Sequence, residues 1–206
     1  MPLNQLLTQN IPSSSVVDGT NPVQLAGKAG DGIVSELHGK YFTASYRGKH
    51  FMTQGAAAGT TIPVSSATAA TFAFYNPIGS GIVAELGKLN IGILNATEVV
   101  SSIAWGIITG LTVAPTGVTA IPTGPAYLGT SAAPTSFVYS AATLAAAATK
   151  FFDIFSVSAT SGFGPNFNFD HEGSLLIGPG CLVHLVGTAA QTSASLNSLT
   201  WSEWPI

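Results

Sequence analysis

Residues 99–149 contain no Asp, Glu, Lys or Arg, and that stretch limits the possible folds more than any other. A surface helix needs a polar face, and a membrane-spanning helix needs about 20 mainly apolar residues in succession. Pro115, Pro122, Pro125 and Pro134, with glycines and threonines between them, interrupt every window of that length. A transmembrane helix is therefore not expected, and no membrane partner with it. What fits is extended chain: runs of β-branched and aromatic residues separated by Gly and Pro.

The rest of the chain follows the same pattern. Residues 1–32 carry Pro2, Pro12, Pro22, Gly19, Gly27, Gly30 and Gly32 among short apolar clusters and read as an extended N-terminal arm. Residues 33–206 read as one β-sandwich domain with a Pro/Gly-rich insertion at 110–134. Ile33-Val-Ser-Glu-Leu37 and Lys40-Tyr-Phe-Thr-Ala-Ser-Tyr46 are expected to form a hairpin, followed by a strand at His50-Phe51-Met52. Residues 54–70 are low in complexity and predict a loop or an irregular edge. A strand from Thr71 is stopped by Asn76-Pro77, and Ile78-Gly-Ser-Gly81 is a turn. In the next run Ile82, Ala84 and Leu86 alternate with polar or small residues, then Leu89, Ile91 and Ile93 take over the apolar side. A change of phase with Gly87 inside it predicts one long strand with a bulge or bend.

Ser101 to Thr109 is a further strand, and residues 110–134 are expected to lack regular structure. The alanine block at 141–148 suits a short helix or a loop packed on a neighbour. Phe151, Asp153, Phe155 and Val157 alternate as one face of a strand. In Gly173-Ser-Leu-Leu-Ile-Gly-Pro-Gly-Cys-Leu-Val-His-Leu-Val-Gly187, Gly178-Pro179-Gly180 has the chemistry of a type II turn reversing the chain between two strands. The last residues, Trp201-Ser-Glu-Trp204-Pro-Ile206, are expected to tuck into a sheet or a subunit contact. Short strands, abundant turns and almost no helical period give an all-β fold: a jelly-roll-like β-sandwich with an extended N-terminal arm.

Only 7% of residues are charged, against roughly 25% in average soluble domains. A surface so poorly defended by charge favours self-association, because large apolar patches are seldom left bare. Phe151, Phe155, Trp201, Trp204 and Ile206 are the expected oligomer-interface residues. Net charge is −3 and the six basic residues are scattered, with Lys40, Arg47 and Lys49 the only loose group; this is not a nucleic-acid footprint. One cysteine, Cys181, excludes an intrachain disulfide and a Cys-rich zinc site. The opening Met1-Pro-Leu-Asn-Gln-Leu-Leu-Thr-Gln lacks the basic and apolar regions of a signal peptide. Without one, the sequon at Asn95-Ala96-Thr97 reads as chance.

Motifs for chemistry are sparse. Asp170-His171-Glu172 is the densest polar cluster, but neighbours on an extended chain point to opposite faces, so only a turn would gather two of them on one ion. A solvated turn is the plain reading. His184 shares a strand face with Leu182 and Val186, which suits a core or interface histidine. His38 and His50 have no ligand spacing. Gly79-Ser80-Gly81 is a turn and not part of a Gly-x-Ser-x-Gly elbow, and no P-loop, dinucleotide fingerprint or His-Glu-x-x-His occurs. No catalytic residue, metal ligand or cofactor site is assigned, and an enzyme is not expected.

Three segments resemble virion structural proteins of tailed bacteriophages. They are Gly30-Asp-Gly-Ile-Val-Ser-Glu-Leu-His-Gly-Lys-Tyr-Phe-Thr-Ala-Ser-Tyr-Arg-Gly-Lys-His-Phe51, then Phe74-Tyr-Asn-Pro-Ile-Gly-Ser-Gly-Ile-Val-Ala-Glu-Leu86, and Gly173-Ser-Leu-Leu-Ile-Gly-Pro-Gly180 with the closing Leu-Thr-Trp-Ser-Glu-Trp-Pro205. The resemblance implies a capsid-decorating or minor capsid protein with a jelly-roll-like domain, commonly trimeric. It would be made in the host cytoplasm and would bind the major capsid protein at the virion surface. It brings no catalytic residues. The alternative is a receptor- or carbohydrate-binding module on a phage tail or fibre, using Tyr and Trp at loop tips. A hydrolase would have only Asp170, His171 and Glu172 to rely on.

Overall fold

The computed structural model describes residues 40–55, 58–94, 99–157 and 166–206. The arm at 1–32, the strand expected at 33–37 and the sequon at 95–97 lie outside them. One short helix, α1 (Phe42–Tyr46), precedes β1 (His50–Gln54), β2 (Thr60–Thr61), β3 (Ala69–Ala70), β4 (Ala73–Asn76), β5 (Ile82–Ile93), β6 (Ser101–Ile108) and β7 (Thr116–Ala120). There follow β8 (Thr123–Pro125), β9 (Phe137–Thr143), β10 (Lys150–Val157), β11 (Asn166–Asp170), β12 (Leu176–Ile177), β13 (Cys181–Gly187) and β14 (Ala194–Pro205).

The strands form two antiparallel sheets packed face to face. The first runs β11-β5-β14-β1-β8, with β12 on β5 and β2 on β14; the second runs β10-β6-β13-β4-β9-β3, with β7 on β9. Number the eight principal strands, β1, β4, β5, β6, β10, β11, β13 and β14, from one to eight. The sheets then read 1-8-3-6 and 2-7-4-5, the winding of a jelly roll. The remaining strands are additions at its edges.

β5 shows how the sequence sets this geometry. Ala84 and Leu86 are buried, and after Lys88 the inward set becomes Leu89, Ile91 and Ile93. Across the ladder Trp201 faces Leu86 and Leu199 faces Leu89, three residues along β5 against two along β14. The extra residue is a β-bulge at Gly87-Lys88, opposite Thr200. Lys88 N–H donates to Thr200 Oγ1 at 2.9 Å. A side chain at position 87 would place its Cβ 2.7 Å from that hydroxyl and 3.2 Å from the Thr200 carbonyl oxygen, so glycine is required for close approach.

Between the sheets, Trp201 packs against Phe51 of its own sheet and edge-on against Phe74 of the other, with ring centroids 5.9 and 5.3 Å away. Phe72 and Trp105 lie 6.3 Å apart. Burying each such side chain stabilises by about 1.5–3 kcal/mol. A second cluster, including Ala73, Tyr75, Tyr139, Leu144 and Leu182, covers the outer face of the second sheet. β4 and β13 are consequently buried on both faces, which is why those runs are continuously apolar and not alternating.

Four expectations are corrected. The segment expected as a strand from Lys40 to Tyr46 is a turn and helix α1, in which Phe42 and Tyr46 stack one helical turn apart at 5.9 Å. Residues 110–134 contain β7 and β8, which pair with β9 in one sheet and β1 in the other, so the insertion spans both. The alanines at 141–143 continue β9, and Leu144 and Ala148 are buried beyond it, with no helix. On β10 the register shifts between Asp153 and Phe155, so Phe151 is exposed while Phe155 and Val157 turn inward. The turn at 178–181 is type II as expected: Cys181 N–H donates to Gly178 O at 3.2 Å and Gly180 has φ +69°. It carries the chain from the first sheet to the second, though, and does not close a hairpin.

Gly87→Ala is expected to destabilise the fold by about 1–3 kcal/mol through overpacking against Thr200. Chemical denaturation measures this, and an unchanged midpoint would remove the bulge from its proposed place in the architecture.

Candidate functional site

The polar cluster at 170–172 is built into the join between the sheets. His171 is buried, and Trp105 Nε1–H donates to its Nε2 at 2.8 Å while its Nδ1 lies 2.7 Å from Gly87 O. One neighbour is only a donor and the other only an acceptor, so the ring is fixed as the neutral tautomer with its proton on Nδ1. The His171 backbone N–H also donates to Gly87 O, at 3.1 Å. Phe152 and Phe169 surround the ring.

Asp170 faces outward. It accepts from Tyr41 Oη at 2.8 Å and from Glu172 N at 3.1 Å, and Lys40 Nζ lies 3.7 Å from it and 3.6 Å from Glu172. Partial burial opposes its ionisation. The Tyr41 hydroxyl, the Glu172 N–H and the charges of Lys40 and Lys88 outweigh that and hold its carboxyl below the usual range. The turn is the expected solvated one for Asp170 and Glu172, with His171 inside. Among the described residues no group of three or more His, Cys, Asp or Glu side chains is placed to hold a metal ion.

Sequence scanning misses one constellation. His50, Ser202 and Glu85 stand in register on the adjacent strands β1, β14 and β5, with His50 Nδ1 2.9 Å from Ser202 Oγ. Both are buried, and the Tyr41 ring stacks on His50 at 4.8 Å. The Glu85 carboxylate accepts from Trp204 Nε1 at 3.1 Å. A nucleophile sealed from solvent, with its carboxylate engaged elsewhere, is assembled as a packing contact.

The five expected interface residues do not form one surface. Trp201 is 0% exposed and its indole N–H donates to Glu203 Oε1 at 3.1 Å; it is core and has no face to offer another subunit. Phe155 stacks on Phe167 across the sheets at 3.7 Å. Phe151 is 47% exposed on β10, an edge of the second sheet. Trp204 and Ile206 belong to the first sheet, and Ile206 is 77% exposed. The geometry instead gathers Ile206 and Trp204 with Val83, which faces Trp204, and with Leu176, which faces Glu85 and is 58% exposed. Ile206 N–H closes this end by donating to Gly81 O at 3.1 Å. Nothing in the local sequence separates Leu176, outward, from Ile177, buried.

The outer face of the first sheet also bears a groove of about 530 Å³ between β14 and the insertion. A row of aromatic rings lies near the helix: Phe42 on Tyr46, and Tyr46 on Tyr127 with centroids 6.0 Å apart and planes at 13°. Of the three tryptophans, two are core and Trp204 lies on a strand, so none is at a loop tip. Comparisons with protein-family models, with curated proteins and with solved structures found no match in any of the three.

His184 is fully buried, and neither of its ring nitrogens has a hydrogen-bond partner. Gly106 makes room for the ring: a Cβ there would lie 3.0 Å from Nε2 and 2.9 Å from the Ala148 methyl. Burial alone lowers its pKa to about 4. Burial also lowers those of His171, against the Gly87 bond and the Asp170 charge, and of His50, against the Glu85 charge. Each binds a proton more readily unfolded than folded. Their stabilisation is therefore complete above about pH 6.5 and is lost as pH falls. For His184 the loss ends near pH 4 and amounts to roughly 3 kcal/mol. His184→Leu should leave stability at pH 7 equal or higher and flatten the decline between pH 6.5 and 4. Denaturation across that range checks this; an unchanged slope would contradict it.

Proposed function

We propose that this protein is a non-enzymatic virion structural subunit that self-associates, as a trimer on the family resemblance, and decorates or cements a bacteriophage capsid. The observation that carries the reading is the apolar end of the first sheet. There Leu176, Val83, Trp204 and Ile206 flank a carboxylate already engaged by an indole. Burying such a surface gains roughly 25 cal/mol per Å² before ordering costs, and few charges need desolvation. The jelly-roll sandwich and the three segments that resemble phage virion proteins support the same reading. The polar groups with the geometry for chemistry, His171, His50 and Ser202, are committed to internal contacts.

Light scattering on the purified chain, followed by sedimentation with empty phage capsids, tests this directly. A stable oligomer that co-sediments is the expected result, and a monomer that ignores capsids contradicts it. Leu176→Asp and Ile206→Asp should lower the oligomer mass while the sheets remain folded. If the mass is unchanged in both, the apolar end is not the contact.

A second reading, a carbohydrate- or receptor-binding module of a tail or fibre, is favoured by the Phe42–Tyr46–Tyr127 row. The three near-parallel rings are 40%, 44% and 47% exposed, an aromatic surface of the kind that meets sugars. Loss of binding to host cells in Tyr127→Ala, with capsid binding absent in the parent protein, would move this reading to first place.

A further inference from the structure

The groove on the first sheet has a definite construction. Along β14, Ser195, Asn197, Leu199 and Trp201 turn inward and are buried, leaving Leu196, Ser198 and Thr200 as its half-buried floor. Beside that floor stands Met52 of β1, 40% exposed. Beyond Met52 lie residues 122–124 of the insertion, fastened where Thr53 Oγ1 donates to Pro122 O at 2.9 Å. No residue lining the groove is charged. Its volume of about 530 Å³ lies within the roughly 300–1,000 Å³ of ligand sites.

The chain itself contains a segment of matching chemistry. Residues 1–27 carry a single charge, Asp18, and supply Leu3, Leu6, Leu7, Ile11, Val16 and Val17 among Asn, Gln, Ser and Thr. The described chain begins at Lys40, and Tyr41 stacks on His50, on the same face of β1 as Met52 and two residues before it. The chain thus reaches the sheet on the face that bears the groove. At about 3.3 Å per extended residue, the 39 preceding residues span far more than the two-residue step from His50 to Met52.

We propose that the groove between β14 and the insertion is the docking site for this sequence's own leading segment, residues 3–17. Its leucines, isoleucine and valines enter the uncharged channel, and its amide and hydroxyl side chains meet Ser198, Thr200 and Thr123. Apolar knobs seated in a preformed groove, with polar groups fixing register, are a recurrent mode of segment recognition. The assignment stands independently of the capsid reading, since it concerns only this sequence.

Met52 provides the test. The chain has two methionines, Met1 and Met52, whose oxidation by dilute peroxide is resolved on separate peptides by mass spectrometry. In the full-length protein a docked segment shields Met52. The double substitution Leu6→Asp, Leu7→Asp changes no residue of the described sheets and should speed Met52 oxidation by about tenfold, the ratio a docking preference of 1.4 kcal/mol gives. Ser198→Trp, which fills the groove, should in turn speed proteinase K cleavage within residues 3–17 by a similar factor. Equal Met52 oxidation in the parent and the double variant would overturn the proposal and leave the groove to an uncharged ligand or another protein. Unchanged cleavage in a folded Ser198→Trp variant would overturn it as well.

Discussion

One extra residue in β5 determines how the two sheets are joined. The bulge at Gly87-Lys88 reverses which side of the strand faces the core, so a strand of twelve residues serves both ends of the sandwich. It also places the Gly87 carbonyl oxygen where His171 reaches it through both backbone and ring, and the other ring nitrogen takes the indole proton of Trp105 from the opposite sheet. A buried indole N–H without an acceptor would cost about 1–3 kcal/mol. The bulge, the histidine and the tryptophan thus form one polar thread that joins the two sheets.

Other polar residues are spent in the same way. Asn76, fully buried, donates through Nδ2 to Ile82 O and Ile177 O at 2.9 and 2.8 Å and accepts from Ser80 Oγ at 2.6 Å, binding two chain reversals at one end. Glu203 accepts from the backbone N–H groups of Thr135 and Ser136 and from Trp201, anchoring the end of the insertion to β14. These buried groups are paired, as low-dielectric surroundings demand. His184, neither of whose ring nitrogens has a partner, is the histidine whose pKa burial lowers to about 4.

Legibility from sequence followed how local the cause was. The phase change in β5 was readable because a bulge moves every later side chain to the other face, and Gly87 marked it. The type II turn at Gly178-Pro179-Gly180 was readable because its φ angles are set by those residue types. The destination of that turn was not, since joining two sheets or closing a hairpin uses the same turn. Lys40 to Tyr46 has strand-like composition, yet its aromatic residues find ring partners one helical turn away and on His50, contacts that only the fold supplies. Trp201 looked like an interface residue because aromatic residues near a terminus often are. Its placement in the core follows from the pairing of β14 between β5 and β1, a long-range fact. The apolar end formed by Leu176 and Ile206 was hidden for the same reason.

The most direct test of the account is nitrogen-15 NMR of the histidine rings as a function of pH. If the polar thread holds the sheets together, the His171 ring is neutral, protonated on Nδ1 and unprotonated on Nε2, and it stays so below the pH at which a free imidazole titrates. A His171 ring that titrates near pH 6.5, or carries its proton on Nε2, would mean that Trp105 and Gly87 do not hold it. The histidine would then be available for chemistry that this account assigns to the fold.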